Sequence, residues 1–567
     1  MNKLLIHHQN TILIENKYFT KEEQFYFDVD SDIDDVDFYI SQQINHGDLR
    51  SKLQNIDLVF IKVALSPNYL EYSGIRLGYH LRLTKELGAI SQSPIIFVAE
   101  ESYQFLGLTS ELPEILFTGG IYLMKDNPDD FRRYISLYEN SKILRIQKLT
   151  DFLNSIRISP PANYQSHHSI ANEWSLLRWS ELLSVKLENN LLSIKQNVES
   201  LLYYKYLLAK NPLEKENLPT ILQIENIGKI LYIDDEWMKG WNIALQQLTN
   251  KVTGNNNFET LEMSYKDSKP EKIIAASEKK IETYDPDIVI LDLRLCDIDF
   301  KADIRTEELT GYKILKSIKN INPGIQVIVF SASNKIWNLI ELQNAEADSY
   351  ILKDSPETNI EIANVSQSIT KFSVALKIAA KKSFIKDLVK KCKKISTNLD
   401  SQYTEDNPEY KVFITTLKSK INTCLSTLRM INLEKPSTID ISFLSFYNFL
   451  ESFSKFYIKY NDKDYHFYMG VDDEVLNDYY FDKGTIKNKG EFKPKNSNDY
   501  PSWGKSLAGL FVDYFKISSS PYNEVKYLLE VHRWRNDYIH STKNGFTSSE
   551  LIKLVALCEK SCSNLKD

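Results

Sequence analysis

The stretch Pro286 to Leu295, PDIVILDLRL, constrains this chain most. Ile288 to Leu291 and Leu293 are apolar, and one carboxylate, Asp292, stands near the C-terminal end. A continuous apolar run of this length fits a parallel strand covered on both faces. A carboxylate there is costly unless it sits at the strand's carboxyl edge, where ligands bind in open α/β sheets. Asp292 is therefore either a cap for the next turn or a functional group.

Three more strand-like stretches end in polar side chains. KILYIDDEW (Lys229 to Trp237) ends in Asp234, Asp235 and Glu236. IQVIVFSAS (Ile325 to Ser333) carries a hydroxyl at Ser331, and ADSYILKDS (Ala347 to Ser355) carries Lys353, with Tyr350 three residues before it. An acidic pair, a lone Asp, a hydroxyl and a Lys in this order resemble the receiver domain of bacterial response regulators, over roughly residues 227–372. The resemblance implies a flavodoxin-like, doubly wound parallel sheet. It implies Mg2+ held by Asp235 and Asp292 with the carbonyl of Arg294, and supported by Asp234. Asp292 would accept a phosphoryl group from a histidine kinase or phosphotransfer protein. Lys353 and Ser331 would bind its oxygens, and Tyr350 would be the switch aromatic. The chemistry agrees, because clustered carboxylates repel unless a hard cation neutralises them. The family usually has Pro after this Lys, whereas this chain has Asp354.

At about 150 residues per domain, 567 residues suggest three to four domains. Hydrophobic residues make up 43%, enough for packed cores. The net charge of -7 gives no global attraction to nucleic acid or an anionic membrane, so any RNA contact must be local. Five cysteines without a CxxC pair suggest reduced thiols in a cytosol. No signal peptide is legible, and no apolar run is long enough to span a membrane.

The first 141 residues repeat the pattern. IDLVFIKVALS (Ile56 to Ser66) parallels PDIVILDLRLC, and SPIIFVAEES (Ser93 to Ser102) parallels the fourth strand. TGGIYLMKDN (Thr118 to Asn127) parallels ADSYILKDS, with Tyr122 three before Lys125. Lys62 to Lys125 spans 63 positions and Asp292 to Lys353 spans 61. Gly74 and Gly311 each open the helix after the third strand. Lys62, however, replaces Asp292, and no acidic pair ends KLLIHHQ. An ammonium cannot accept a phosphoryl group as a carboxylate can. This unit reads as a degenerate receiver used for docking or dimer formation, or as an unrelated α/β domain.

Residues 142–226 carry Leu and Tyr at i, i+3, i+4 spacing, as in a helical connector that packs across a dimer. His167-His168 followed by Asn172-Glu173-Trp174 lacks the HExxH order and reads as structural. The acidic loop Cys296 to Gly311 is longer than the family's; it contacts a kinase or is a solvated insertion. KKSFIKDLVKKCKK (Lys381 to Lys394) is either a solvated helix or a phosphate-binding patch for RNA.

In PYNEVKYLLEVHRWRNDYIHS, Tyr527, Val531, Trp534 and Tyr538 form one stripe, expected to face a core. Leu529, His532, Asn536 and His540 form another. Arg535-Asn536 and then His540 read RNxxxH, which resembles the HEPN superfamily, many of whose members are metal-independent RNases. The resemblance covers roughly the last 125 residues, and the helix SFYNFLESFSKFY fits it. It implies that His540 acts as general base or acid, that Arg535 stabilises phosphate charge and that Asn536 orients the site, with 2′,3′-cyclic phosphate products and no metal. Arg535 and His540 lie about 140° apart on an ideal helix, so they share no face unless the helix ends there or Arg535 reaches around. The resemblance implies two paired copies whose motifs face one cleft. The other reading is that both residues stabilise a helix end.

The sequence thus divides into a degenerate receiver (1–141), a helical connector (142–226), a receiver (227–378) and a helical effector (379–567, core about 440–567). The expected function is a cytoplasmic, homodimeric two-component response regulator. Its output would be a HEPN-type endoribonuclease, a toxic effector of anti-phage defence. The alternative is a phospho-regulated adaptor whose helical tail cleaves nothing.

Overall fold

A computed structural model describes the chain except residues 9–14, 28–35, 67–71, 141–148, 161–166, 187–188, 211–218, 225–226, 254–256, 302–303, 333–341, 344, 354–364, 404–406, 462–463, 468–473, 476–478, 483–490, 495–506, 508–509, 511–520 and 566–567. Two parallel five-stranded sheets lie in the first two thirds. The first contains β1 (Lys3–His7), β2 (Gln24–Tyr26), β3 (Leu58–Lys62), β4 (Ile95–Val98) and β5 (Ile121–Met124), in the order β2-β1-β3-β4-β5. The second contains β6 (Ile230–Ile233), β7 (Phe258–Thr260), β8 (Ile288–Leu291), β9 (Gln326–Ser331) and β10 (Ser349–Leu352), in the order β7-β6-β8-β9-β10. Both are the 2-1-3-4-5 order of flavodoxin-like sheets. β6, β8 and β9 are buried at every position, as continuous apolar strands require.

Besides a single turn at Glu15–Tyr18, the α-helices of the first unit are α1 (Val36–Asn45), α2 (Asp48–Leu53), α3 (Ser73–Leu83), α4 (Tyr103–Thr109) and α5 (Pro128–Glu139). The connector holds α6 (Leu149–Ser155), α7 (His167–Leu183), α8 (Asn189–Ser200) and α9 (Leu202–Lys210). The second unit holds α10 (Trp241–Thr253), α11 (Pro270–Tyr284), α12 (Thr310–Ile321) and α13 (Val365–Lys382). The C-terminal region holds α14 (Phe384–Ser401), α15 (Pro408–Arg429), α16 (Ser437–Tyr457), α17 (Pro521–Ile539) and α18 (Ser548–Ser563). Among the described residues no helix is long and apolar enough to cross a membrane.

The internal repeat extends to backbone contacts. Gly74 N donates to Val63 O at 2.9 Å, and Gly311 N donates to Leu293 O at 3.0 Å. A Cβ on Gly74 would stand 2.0 Å from Lys62 O, and one on Gly311 2.2 Å from Asp292 O. Glycine is needed at both because each helix starts directly against the end of the central strand.

The connector's apolar stripe is covered within the chain rather than left for a dimer. Trp174, Leu177 and Trp179 of α7, Leu191 of α8 and Tyr204 of α9 are buried in one hydrophobic cluster. That cluster runs from Ile40 in the first unit to Trp241, Phe330 and Phe372 in the second. Asp37 accepts from Arg76 Nε at 2.5 Å, His80 Nε2 at 2.9 Å and Leu202 N at 3.0 Å, and so ties α1 and α3 to the start of α9.

Several lysines of 381–394 are ion-paired within the chain, although Lys390 and Lys394 keep exposed side chains. Lys386 pairs with Asp287 at 2.5 Å, and Lys390 with Asp285 at 2.5 Å. Lys391 and Lys394 pair with Glu559 of α18 at 3.0 and 2.8 Å. α14 therefore bolts the C-terminal bundle to the second unit. The bundle's core gathers Cys392, Cys424, Cys558 and Cys562, all buried. In α17 the core residues are Leu528 and Val531, while Trp534 and Tyr538 are half-buried and Tyr527 is exposed. Val531, Trp534 and Tyr538 of the expected stripe pack on that core, and Leu528 takes the place of Tyr527. Past α16 the backbone forms an antiparallel pair, Ile458–Asn461 with Asp464–Phe467. The stretch SWGKSLAGLFVDYF (502–515), which reads as a helix from its sequence, lies mostly outside the described residues.

Candidate functional site

Parallel pairing of β6, β8, β9 and β10 brings the four strand ends to one edge. β8 ends at Leu291, shorter than the apolar run, so Asp292 is the first residue beyond it. Asp234, Asp292, Ser331 and Lys353 are all fully buried. One oxygen from each of Asp234, Asp235 and Asp292 lies within 4.8 Å of the others. Lys353 Nζ donates to Asp234 Oδ2 at 2.8 Å and to Asp292 Oδ2 at 2.9 Å. The other oxygen of Asp292 accepts from Leu293 N at 2.5 Å, and that of Asp234 accepts from Glu236 N at 2.8 Å.

One ammonium faces three carboxylates, and the excess charge is visible. Burial, then the charges of Asp234, Glu236 and Asp292, push the Asp235 carboxyl up to about 9. Burial also raises Asp234, although Lys353 opposes it. Burial alone would lower Lys353, but Asp234 and Asp292 hold its ammonium well above the usual value. Asp235 Oδ1 is buried and makes no hydrogen bond among the described residues. An orphaned carboxylate oxygen beside two more carboxylates fits a hard divalent cation such as Mg2+. Ser331 Oγ is likewise buried without a hydrogen bond among the described residues, which leaves a donor for a phosphoryl oxygen. Tyr350 is half-buried on β10, and burial and then the Asp292 charge push its hydroxyl upward. The position after Lys353, Asp354, lies outside the described residues.

The long acidic loop is pinned by one residue, Asp299, while Asp297, Glu307 and Glu308 stay exposed. Asp299 is fully buried and accepts from Leu295 N, Thr310 N and Thr310 Oγ1 at 2.8, 3.0 and 3.0 Å. It locks the segment between Asp292 and α12. No periodicity in the sequence distinguishes this Asp from its exposed neighbour Asp297.

In the first unit the pairing of Ile6 with Ile61 matches that of Ile233 with Leu291. His7, His8 and Lys62 therefore stand where Asp234, Asp235 and Asp292 stand. His7 and His8 are buried. The last strand departs from the sequence alignment. Val98 pairs with Met124, whereas its counterpart Phe330 pairs with Ile351. Lys125 thus falls one position short of the Lys353 station, and its side chain is exposed. Counting residues between Lys62 and Lys125 missed this slip, because an intervening loop absorbs it.

In α17 the structure brings together Arg535, Asn536 and His532, not His540. Arg535 Nη1 donates to Asn536 Oδ1 at 3.1 Å, and Asn536 Nδ2 meets His532 Nε2 at 3.1 Å. Tyr447 Oη of α16 meets His532 Nδ1 at 2.9 Å, and the Arg535 guanidinium lies 5.3 Å from the Tyr447 ring centre. Burial, and then Arg535, lower the pKa of His532. His540 follows the last helical residue and is exposed. The i, i+4 spacing of His532 and Asn536 was the available signal for this pair.

Residues 8–124 match a family model described as an inactive receiver domain. The match falls on the unit that holds His7, His8 and Lys62 in place of carboxylates. No curated protein matches the chain. The crystal structure of NtrX from Brucella abortus is 19% identical over 29% of this chain and 30% of that chain, with a TM-score of 0.20. Its complex with ATP is 17% identical over 35% and 34%, with a TM-score of 0.20. The signal receiver domain of a modulated diguanylate cyclase from Desulfovibrio desulfuricans G20 is 13% identical over 28% of this chain and 97% of that chain, with a TM-score of 0.18. The chain spans about a third of the length of the NtrX chains it matches. The strand order and the strand-end side chains make both α/β units consistent with receiver-type folds.

Proposed function

We propose that this protein is a phosphorylation-controlled response regulator of the cytoplasm, with Asp292 as the phosphoacceptor. The observation that carries this reading is the buried set of Asp234, Asp235, Asp292 and Lys353 at one sheet edge. A carboxylate oxygen of Asp292 attacks phosphorus on the phosphohistidine of a partner kinase or phosphotransfer protein. The P–N bond breaks, its electrons leave with the imidazole, and an acyl phosphate forms. Lys353 leaves Asp292 Oδ2 for a phosphoryl oxygen, and Ser331 Oγ donates to another. Tyr350 follows the Ser331 hydroxyl. Asp235 and Asp292, with the Arg294 carbonyl and support from Asp234, would hold Mg2+, which supplies charge neutralisation for the phosphoryl oxygens.

For the output, the reading is metal-independent RNA cleavage by a HEPN-like bundle in a homodimer, acting as a toxic anti-phage effector. Its support is the Arg535–Asn536 pair, with His540 one turn on, at the end of a helix in a terminal helical bundle. His540 would take the ribose 2′-OH proton, and Arg535 would stabilise the phosphate. The second reading is an adaptor that cleaves nothing. It is favoured by the exposure of His540 and by the ion pairing of α14 lysines that RNA would otherwise use. The test is incubation of the purified protein with cellular RNA, with and without acetyl phosphate and Mg2+, scored by products and by oligomer mass. Cleavage lost in His540→Ala supports the RNase; phosphorylation of Asp292 without cleavage in either state leaves the adaptor.

A further inference from the structure

Lys353 is walled by aromatic rings as well as paired with carboxylates. Its Nζ lies 5.3 Å from the ring centres of both Trp241 and Phe330. Those two rings meet at 4.9 Å and 83°. Trp179 of the connector stands against both, 5.6 Å from Trp241 and 5.3 Å from Phe330. Phe372 of α13 completes the group, 5.4 Å from Phe330 and 5.7 Å from Trp179. All four rings are fully buried.

An ammonium has three donors, and two of Lys353's are spent on Asp234 and Asp292. Ring faces attract the remaining positive charge and exclude water that would offer alternative bonds. The lysine is therefore held at one position and can re-aim only along the carboxylate side, where a phosphoryl oxygen would lie. We propose that Trp241 is a positioning residue for phosphoryl transfer at Asp292, and that Trp179 makes the connector part of that pocket. This rests on the receiver reading above. α7 and α9 pack in the same core, and α9 begins on Asp37 of the first unit. Displacing the connector from the first unit alters the wall behind Lys353, and by reciprocity phosphorylation at Asp292 loads the connector.

The test uses the full chain with acetyl phosphate and Mg2+. It reads the rate of Asp292 phosphorylation, Mg2+ affinity by calorimetry, and 19F spectra of protein labelled with 5-fluorotryptophan. Trp241→Phe keeps a ring face and retains the rate within about threefold, whereas Trp241→Leu slows it by about tenfold, the scale of a desolvated cation–π contact. Mg2+ affinity stays within about twofold in both, since the Trp241 indole nitrogen makes no hydrogen bond to a carboxylate among the described residues. The Trp179 resonance, assigned from Trp179→Phe, shifts when beryllofluoride is added. A native rate in Trp241→Leu overturns the proposal, as does a loss of Mg2+ affinity in step with the rate, which marks a packing role. An unmoved Trp179 resonance overturns the connector's part. Should Trp241→Leu not fold, Trp241→Met removes the ring with less change in shape and is read the same way. Native protein that takes no phosphoryl group overturns the receiver reading and this proposal with it.

Discussion

Lys386, in the first turn of α14, and Asp287, one residue before β8, form an ion pair at 2.5 Å. Lys386 is 5% exposed. The pair sits at the opposite end of β8 from Asp292. The same Asp287 accepts from Lys229 N at 2.8 Å, just ahead of β6. Lys386 also donates to Asp285 O at 3.1 Å, and its carbonyl accepts from Asn322 Nδ2 at 3.1 Å. The C-terminal bundle is thus anchored to the amino ends of the two strands whose carboxyl ends carry the acidic pocket.

Removing one member of this pair leaves a poorly solvated charge. Lys386→Ala is expected to destabilise the chain by about 2–4 kcal/mol, read from urea unfolding. It is also expected to expose the α13–α14 junction to limited proteolysis while Mg2+ affinity at the far edge is unchanged. Equal protection of the junction in the variant and the native protein would show that α14 docks by other contacts.

Lys353 makes a sharper case, because it is ion-paired with two carboxylates that are fully buried. Lys353→Met is expected to cost about 3–5 kcal/mol in metal-free buffer, since both charges then lack a partner. Added Mg2+ should restore much of that loss, because the same carboxylates would bind it more tightly without a competing ammonium. Unfolding with EDTA and with millimolar Mg2+ checks this; a loss that Mg2+ leaves unchanged would argue against a cation in the pocket.

The two glycines test whether the α/β units share one construction. Gly74→Ala and Gly311→Ala each drive a Cβ to within 2.0 and 2.2 Å of a strand-end carbonyl. Each is expected to lose about 1–3 kcal/mol by overpacking. Only Gly311→Ala should also slow phosphorylation, since the carbonyl it displaces belongs to Asp292. Thermal melts and an acetyl phosphate assay separate the two effects.

Arg535 fixes the rest of the α17 cluster by hydrogen-bond logic. Its guanidinium donates to Asn536 Oδ1, so the amide nitrogen is what faces His532 Nε2. His532 Nε2 must then accept, which puts the ring proton on Nδ1, where it donates to Tyr447 Oη. Protonating His532 would set two donors against each other, consistent with the lowered pKa. His532 therefore orients Asn536 and is a poor base. His532→Gln, which keeps an acceptor, is expected to retain RNA cleavage better than His532→Phe by about tenfold, whereas no substitution at His540 retains it. A His540 variant with native cleavage would remove the RNase assignment from this motif.

What could be read from the sequence was what repeats along it. The strand-end side chains Asp234, Asp292, Ser331 and Lys353 were legible because a buried strand tolerates a polar group only at its end. The substitution of Lys62 for Asp292 was legible for the same reason. The partners of Lys386 were not, because a lysine helix looks alike whether its counterions are solvent or Asp285, Asp287 and Glu559. The Trp179–Trp241 contact joins residues 62 positions apart on two helices with no shared spacing rule. Lys125 misled because spacing along the chain does not fix register between strands.

The ion pairs of α14 set how docking responds to acid. Burial would raise Asp285, but Lys390 and Lys386 outweigh it and hold the carboxyl below its ordinary 3.8. Burial would raise Glu559 too, and Lys394 and Lys391 hold it below 4.5. A carboxyl depressed in the folded state binds its proton less readily than in the unfolded chain. Its contribution to stability is therefore full above the ordinary value and is lost as pH falls through the depressed one. Between pH 7 and pH 5 the docking of α14 should be unchanged. Below about pH 4 it should weaken, with proton uptake accompanying release of the bundle. Asp285→Asn with Glu559→Gln should flatten that profile and lower stability at pH 7. Urea midpoints across pH 3 to 7 in both proteins decide it: parallel curves would mean that these lysines leave α14 docking independent of the two carboxylates.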